Sequence, residues 1–481
     1  MNFRVIKRTI GWLLLFEAFF FLVPLLTGLV YAESQTKYFL ICIAICAVSG
    51  CLLMLGKIKD NEIYAKEGIV IVSLSWIVLS AFGALPFYLS GSIPSYLNAL
   101  FETVSGFSTT GSSILSGEEI EALPKCMLMW RSFTHWVGGM GVLVFILAFL
   151  PLSGGRNINI MKAESPGPIV SKLVPKVRAT AGILYLIYAV MTVLEFVFLV
   201  FDMPVFDAIT TAFATAGTGG FSIKGDSLAS YSSYSQVVVT VFMLLFSINF
   251  ASYYLILCGK VKDAFNLEVK TFLWIVFAAI ALIALNLCLT DTRAYSTGEA
   301  IKHSAFSVAA VVSTTGFATA DFNVWHSFSK TILVLLMFMG ACAGSTGGGF
   351  KVSRVVVLYK GMTHEMKRML HPKQIKKITM DGKIVEHEVV RSISWYLIAY
   401  ILIFITSLLL ISFDGVDMTT NFTAVVATFN NIGPGLGMVG PSGNFAFYSW
   451  FSKIVFIFDM LAGRLEIFPM LLLFAPSTWR K

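Results

Sequence analysis

Apolar runs separated by short polar gaps recur along the chain from Ile10 to Lys481. Crossing some 30 Å of hydrocarbon takes about 20 helical residues. On that basis the pattern predicts ten spans, over 10–31, 38–56, 68–90, 127–150, 180–201, 234–258, 270–290, 330–358, 393–413 and 447–475. The first follows Arg4, Lys7 and Arg8, is too long for a signal-peptide core and has no small-residue cleavage site after it, so it reads as a retained helix.

Four further stretches are helical in pattern but too short to span: Tyr96 to Phe107, Pro204 to Phe213, Gly298 to Val312 and Thr419 to Phe429. Their starts carry helix N-terminal signals, with Pro94-Ser95, Pro204, Ser296-Thr297 ahead of Glu299, and Asp417. Each runs into a small polar segment that aligns on a glycine. The segments are Ser108 with Thr109, Thr110, Gly111 and Ser112; Ala214 with Thr215, Ala216, Gly217 and Thr218; Ser313 with Thr314, Thr315, Gly316 and Phe317; and Asn430 with Asn431, Ile432, Gly433 and Pro434. A single Thr-Thr-Gly is an ordinary turn. Four in-phase copies are an internal repeat.

The repeating unit is therefore helix, short re-entrant helix, loop, helix. Two full crossings return the chain to its starting side, so all four units share one orientation and are related by rotation about the membrane normal. Non-helical backbone at membrane depth is tolerated only inside protein or around a wet cavity. The expected fold is an all-α membrane protein with four parallel repeats in pseudo-fourfold symmetry around one pore, preceded by two N-terminal helices. Expected boundaries are 1–66 for the N-terminal pair, 67–155, 156–260, 261–360 and 393–481 for the repeats, and 361–392 for a cytoplasmic loop.

Composition agrees: of 481 residues 57% are hydrophobic and only 13% charged. Placing both termini in the cytoplasm puts most of the 35 Lys and Arg on that side. The net charge of +8 is thereby a record of topology, and its dispersal over many loops argues against nucleic-acid binding. The seven cysteines stand at 42, 46, 51, 126, 258, 288 and 342 with no C-x-x-C pair, and the six histidines show no H-E-x-x-H. No cofactor or resident metal site is expected in the chain.

Glycine reaches positive φ at little cost, so one per loop lets successive carbonyls face an axis and replace the water of a monovalent cation. The short helices would aim their negative C-terminal ends at the centre. The four loops hold no Lys, Arg, Asp or Glu, which disfavours an anion filter and a carboxylate ring.

These residues resemble the Trk/Ktr/HKT superfamily of potassium transporters, and within it the TrkH family, the membrane subunits of bacterial Trk potassium uptake systems. The resemblance covers nearly the whole chain and is most specific at 103–111, 214–221, 313–317 and 430–435. It implies potassium (K+) uptake across the bacterial inner membrane, either as a channel-like path or as symport with sodium or protons. It further implies a homodimer, no enzymatic activity, and a TrkA-like cytosolic ring that carries the regulatory nucleotide. In this superfamily glycine in the first loop goes with potassium preference and serine with sodium permeation; here the residue is Gly111.

The predicted span 330–358 is interrupted by Gly340, Ala341, Cys342, Ala343, Gly344, Ser345, Thr346, Gly347, Gly348 and Gly349, a run that disfavours helix by about 1 kcal/mol per glycine. Close small-residue helix packing is the alternative. The resemblance assigns the run the role of intramembrane gate. Arg464, inside the last span, must be paired or face water; the resemblance makes it a positive barrier in the pore, and a structural ion pair with Asp459 or Glu466 is the alternative. Lys351 is a second pore charge or, slightly preferred, a positive-inside anchor. The basic segment 360–392 contains an Asp381-Gly382 hairpin signal and reads as a docking surface for the partner or as a contact for anionic membrane lipid. Two other functions remain open at this point: a membrane-embedded enzyme, for which His135 is the one tempting base, and an ammonium path.

Overall fold

The structure, a computed structural model, describes residues 1–55, 65–141, 177–290, 295–371 and 377–479. The end of the predicted span 127–150 and the boundary at 155 lie outside the described residues.

The protein is an all-α membrane protein. The N-terminal stretch forms Phe3–Phe20 and Leu22–Val30, followed by Thr36–Met54. The first and third cross where Gly11 and Gly50 face each other. A Cβ on either would stand 2.8 Å from the other's carbonyl oxygen, so only small residues allow this approach.

Among the described residues six helices are long and apolar enough to span, those of the repeats being Lys66–Leu89, Ala179–Val200, Leu267–Thr290 and His387–Asp414. These are the first helices of the four units. The short helices follow at Tyr96–Phe107, Val205–Ala216, Thr297–Val312 and Met418–Phe429. Ser296 caps the third in a full capping box with Glu299, and Asp417 caps the fourth through the Thr420 N–H, as the sequence signals require.

The second helices are broken: in unit 3 at the run expected from the sequence, elsewhere where a continuous span was expected. In unit 2 Ser233–Phe246 and Phe250–Leu257 meet at 90°. In unit 3 Ser327–Met339 and Val352–Leu370 are separated by the glycine-rich run. In unit 4 Trp450–Arg464 ends before Phe468–Phe474 begins. Glu466 and Ile467 take left-handed backbone there (φ 63° and 62°), which a β-branched side chain adopts only when its surroundings impose it. In unit 1 Lys125–Gly139 ends just before Gly141, whose φ is +86°.

On the Asp381-Gly382 side, Thr379–Met380 pairs antiparallel with Lys383–Ile384. Both turn residues have positive φ, as a two-residue hairpin with right-handed twist demands. The Asp381 carboxylate accepts the Leu267 N–H at 2.8 Å, tying the hairpin to the start of unit 3.

A candidate ion pathway

Each short helix ends in the same backbone sequence of events. The capping residues Ser108, Gly217, Ser313 and Asn430 are followed by left-handed Thr109, Thr218, Thr314 and Asn431, with φ between 55° and 59°, and two residues on by left-handed Gly111, Gly220, Gly316 and Gly433. The intervening N–H groups of Thr110, Gly219, Thr315 and Ile432 all donate five residues back, to the carbonyls of Ser105, Ala214, Ala310 and Ala427.

This corrects the sequence register in the second loop. Thr215 and Ala216 belong to the helix, the Thr215 hydroxyl donating to the Thr211 carbonyl at 2.9 Å. Gly217 is its cap, with φ −68°. The residues matching Thr109, Thr110, Gly111 and Ser112 are Thr218, Gly219, Gly220 and Phe221. Two glycines in the run Gly217-Thr-Gly-Gly220 fit a Thr-x-Gly template, and the helix-compatible Ala-Thr-Ala gives no signal to stop.

The four loops touch in closed cyclic order. A Cβ on Gly111 would stand 1.9 Å from the Gly219 carbonyl oxygen, one on Gly220 1.8 Å from that of Thr315, one on Gly316 2.1 Å from that of Ile432, and one on Gly433 2.9 Å from that of Thr110. Glycine is required twice over, by positive φ and by the adjacent backbone. Side chains reinforce the last contact: Ser112 Oγ donates to the Gly433 carbonyl at 2.9 Å, and Asn431 Nδ2 donates to Thr110 Oγ1 and to the Met460 carbonyl, each at 2.9 Å. A cavity of about 130 Å³ is lined by residues of all four loops, including Gly111, Gly220, Gly316 and Gly433. A larger one of about 810 Å³ lies on the flank between Ser327–Met339 and Met418–Phe429 and holds none of these four glycines.

The run 340–349 lies directly against loops 3 and 4. Gly348 N–H donates to Thr314 Oγ1 at 2.6 Å, and a Cβ on Gly348 would be 2.6 Å from the Asn430 carbonyl. The break in unit 2 holds its far side: Cys342 N–H donates to the Ser247 carbonyl (3.1 Å) and Phe250 N–H to that of Gly344 (3.0 Å). Glu268 Oε1 ties the run to the helix that follows it, accepting the N–H of Ala343 at 2.7 Å and of Ser353 at 3.1 Å.

Arg464 reaches the same run. It donates to the Thr346 carbonyl at 2.8 Å and to those of Gly138 and Gly139 at 2.6 Å each. The two acids weighed as its partners are engaged elsewhere, Asp459 with the Ser407 hydroxyl at 2.6 Å and Glu466 with Arg354. Lys351 is no surface anchor. It is 2% exposed, has left-handed backbone and donates its ammonium to the Gly347 carbonyl.

Glu102, Arg131, Glu268 and Arg354 were missed from sequence, although an ionisable residue within an apolar unit is itself a signal; Glu466 was weighed there only as a partner of Arg464, and it pairs with Arg354 instead. Among the described residues both ring nitrogens of His135 face backbone groups. Its Nδ1 lies 2.7 Å from the Gly106 carbonyl and its Nε2 3.2 Å from the Phe221 N–H.

Residues 34–481 match the family described as TrkH, cation transport protein. The Trk system potassium uptake protein TrkH of Escherichia coli K12 is 35% identical over 489 residues, covering 100% of both chains. TrkG of the same strain, also a Trk system potassium uptake protein, is 30% identical with 99% of both covered. The crystal structure of the potassium transporter TrkH from Vibrio parahaemolyticus superposes with a TM-score of 0.90 at 31% identity, over 100% of both chains.

Proposed function

The chain belongs to the TrkH family of cation transport proteins, and from that premise we propose that it takes up potassium through a pore on the axis of the four loops, with the units in pseudo-fourfold array within the boundaries drawn from sequence. The observation that carries this reading is the closed cyclic contact of loops 1 to 4. Carbonyls of Thr109 to Ser112, Thr218 to Phe221, Thr314 to Phe317 and Asn431 to Pro434 replace the hydration shell of K+, and the C-terminal ends of four short helices favour a cation there.

Residues 340–349 act as the gate, since opening a path beneath the loops requires moving this run off Thr314 and Asn430. Arg464 holds the run closed through Thr346 and, with the Lys351 ammonium, places positive charge on the inner side, which weakens ion binding and favours release. Relatives are named as parts of a Trk system; a TrkA-like cytosolic ring that binds nucleotide is the partner, with the basic 361–392 segment as its contact. The protein works as a homodimer in the bacterial inner membrane with both termini cytoplasmic.

Purified protein in liposomes decides the matter by K+ or Rb+ flux with and without opposing sodium or proton gradients. Selective downhill flux is expected. Absence of selective K+ flux overturns the proposal, and uphill K+ movement driven by either gradient replaces a channel path with symport.

A further inference from the structure

Loops 1 and 2 are suspended from a single helix face, and the residues that do it are neither in the loops nor beneath them. Arg131 and His135 stand one turn apart on Lys125–Gly139 and point between the first short helix and the segment leaving loop 2. Arg131 Nε donates to Glu102 Oε1 at 2.8 Å, with side-chain exposures of 2% and 0%. Its Nη1 donates to the Ser222 carbonyl at 2.9 Å, and its guanidinium carbon lies 4.0 Å from the centre of the Phe221 ring. Glu102 Oε2 accepts the Ile114 N–H at 3.1 Å, and the Ser113 hydroxyl donates to the same carboxylate at 3.0 Å. Each exit segment is thereby fixed to one buried ion pair.

His135 makes the second tie. A carbonyl only accepts and an amide N–H only donates, so the ring carries its proton on Nδ1, toward Gly106, and offers the Nε2 lone pair to Phe221. The imidazole spans from the short helix before loop 1 to the residue after Gly220. It packs on the Phe221 ring at 4.3 Å between centroids, and a Cβ on Gly219 would collide with it at 2.1 Å. A movement of either loop along the pore radius therefore displaces the other.

We infer that His135, with Arg131, is a positioning residue that sets the separation of loops 1 and 2 and thereby the discrimination among monovalent cations. The inference rests on the pore reading above. A carbonyl ring distinguishes ions by how closely its oxygens are held, and this pair of loops is held by side chains from one helix.

The test measures the Rb+/Na+ flux ratio in liposomes for His135→Ala, His135→Asn and His135→Gln, beside melting temperature and elution volume in detergent. Asn can still donate toward Gly106 but falls short of the Phe221 N–H, whereas Gln reaches that N–H. The expected order of selectivity is wild type, then Gln, then Asn and Ala. Loss of a buried hydrogen bond predicts a drop of roughly threefold or more for the last two. Arg131→Lys keeps a charge for Glu102, loses the arm to Ser222, and should shift the ratio in the same direction. Equal selectivity in folded His135 variants, or Asn exceeding Gln, overturns the inference. A wild type without selective flux instead overturns the pore reading.

Discussion

Arg464 donates to the carbonyl of Thr346, so that the end of the unit 4 helix grips the run 340–349, while its other arm holds Gly138 and Gly139 of unit 1. A guanidinium spreads five N–H donors over a planar fork that serves the three carbonyls from two nitrogens, whereas an ammonium holds its three donors on a single nitrogen at the end of a flexible stem. Arg464→Ala should raise K+ flux several-fold with the Rb+/Na+ ratio unchanged. Arg464→Lys, which retains the charge, should raise it less. Flux in liposomes at matched protein density checks both, and unchanged or lower flux in Arg464→Ala contradicts the gate assignment.

Replacing Gly111 or Gly220 by serine puts a Cβ about where a neighbouring carbonyl oxygen now lies, at 1.9 Å from Gly219 and 1.8 Å from Thr315. The neighbouring loop must retreat. Both substitutions should raise sodium permeation relative to potassium. Thr215→Val should leave the ratio within about twofold, because that hydroxyl is spent within its helix. A Thr215→Val effect equal to that of Gly220→Ser would restore the register read from sequence.

Glu268 accepts one N–H group within the glycine run, that of Ala343, and one just beyond it, that of Ser353. Glu268→Gln keeps the shape but removes the charge that strengthens both bonds, a loss of about 1–3 kcal/mol. Higher basal K+ flux is expected, together with faster proteolysis within the run. Wild-type values for both would show that the clamp does not restrain the loop.

Glu466 pairs with Arg354 across units 3 and 4, and the guanidinium lies 4.0 Å from the Tyr396 ring centre. Glu466→Ala leaves a buried cation without its carboxylate, which costs about 3–5 kcal/mol. Replacing the two together by Met and Leu should recover much of the loss. Thermal unfolding of the purified variants reads this out, and a double variant no more stable than Glu466→Ala would contradict it.

Much of the architecture was legible before any coordinates. The predicted short helix Tyr96 to Phe107 is the observed one, and Thr419 to Phe429 differs from the observed helix by a single residue at its start. Length against membrane thickness, caps and glycine spacing are local or one-dimensional properties, and they suffice for such elements. The breaks in units 2 and 4 were not legible. Ser247-Ile248-Asn249 and Leu465-Glu466-Ile467 lack the glycines that betray 340–349, and their conformation is imposed by what packs against them.

The chain alone thus determined that this is a four-unit helical membrane protein whose small polar loops share one design, because burial and helix length act along the sequence. Only the tertiary structure decided which glycine of the second loop meets the ring, whom Arg464 holds, and that Lys351 is buried. Those depend on packing between segments far apart in the chain, where a carbonyl 1.8 Å from a hypothetical Cβ on Gly220 leaves no choice of register and no residue other than glycine.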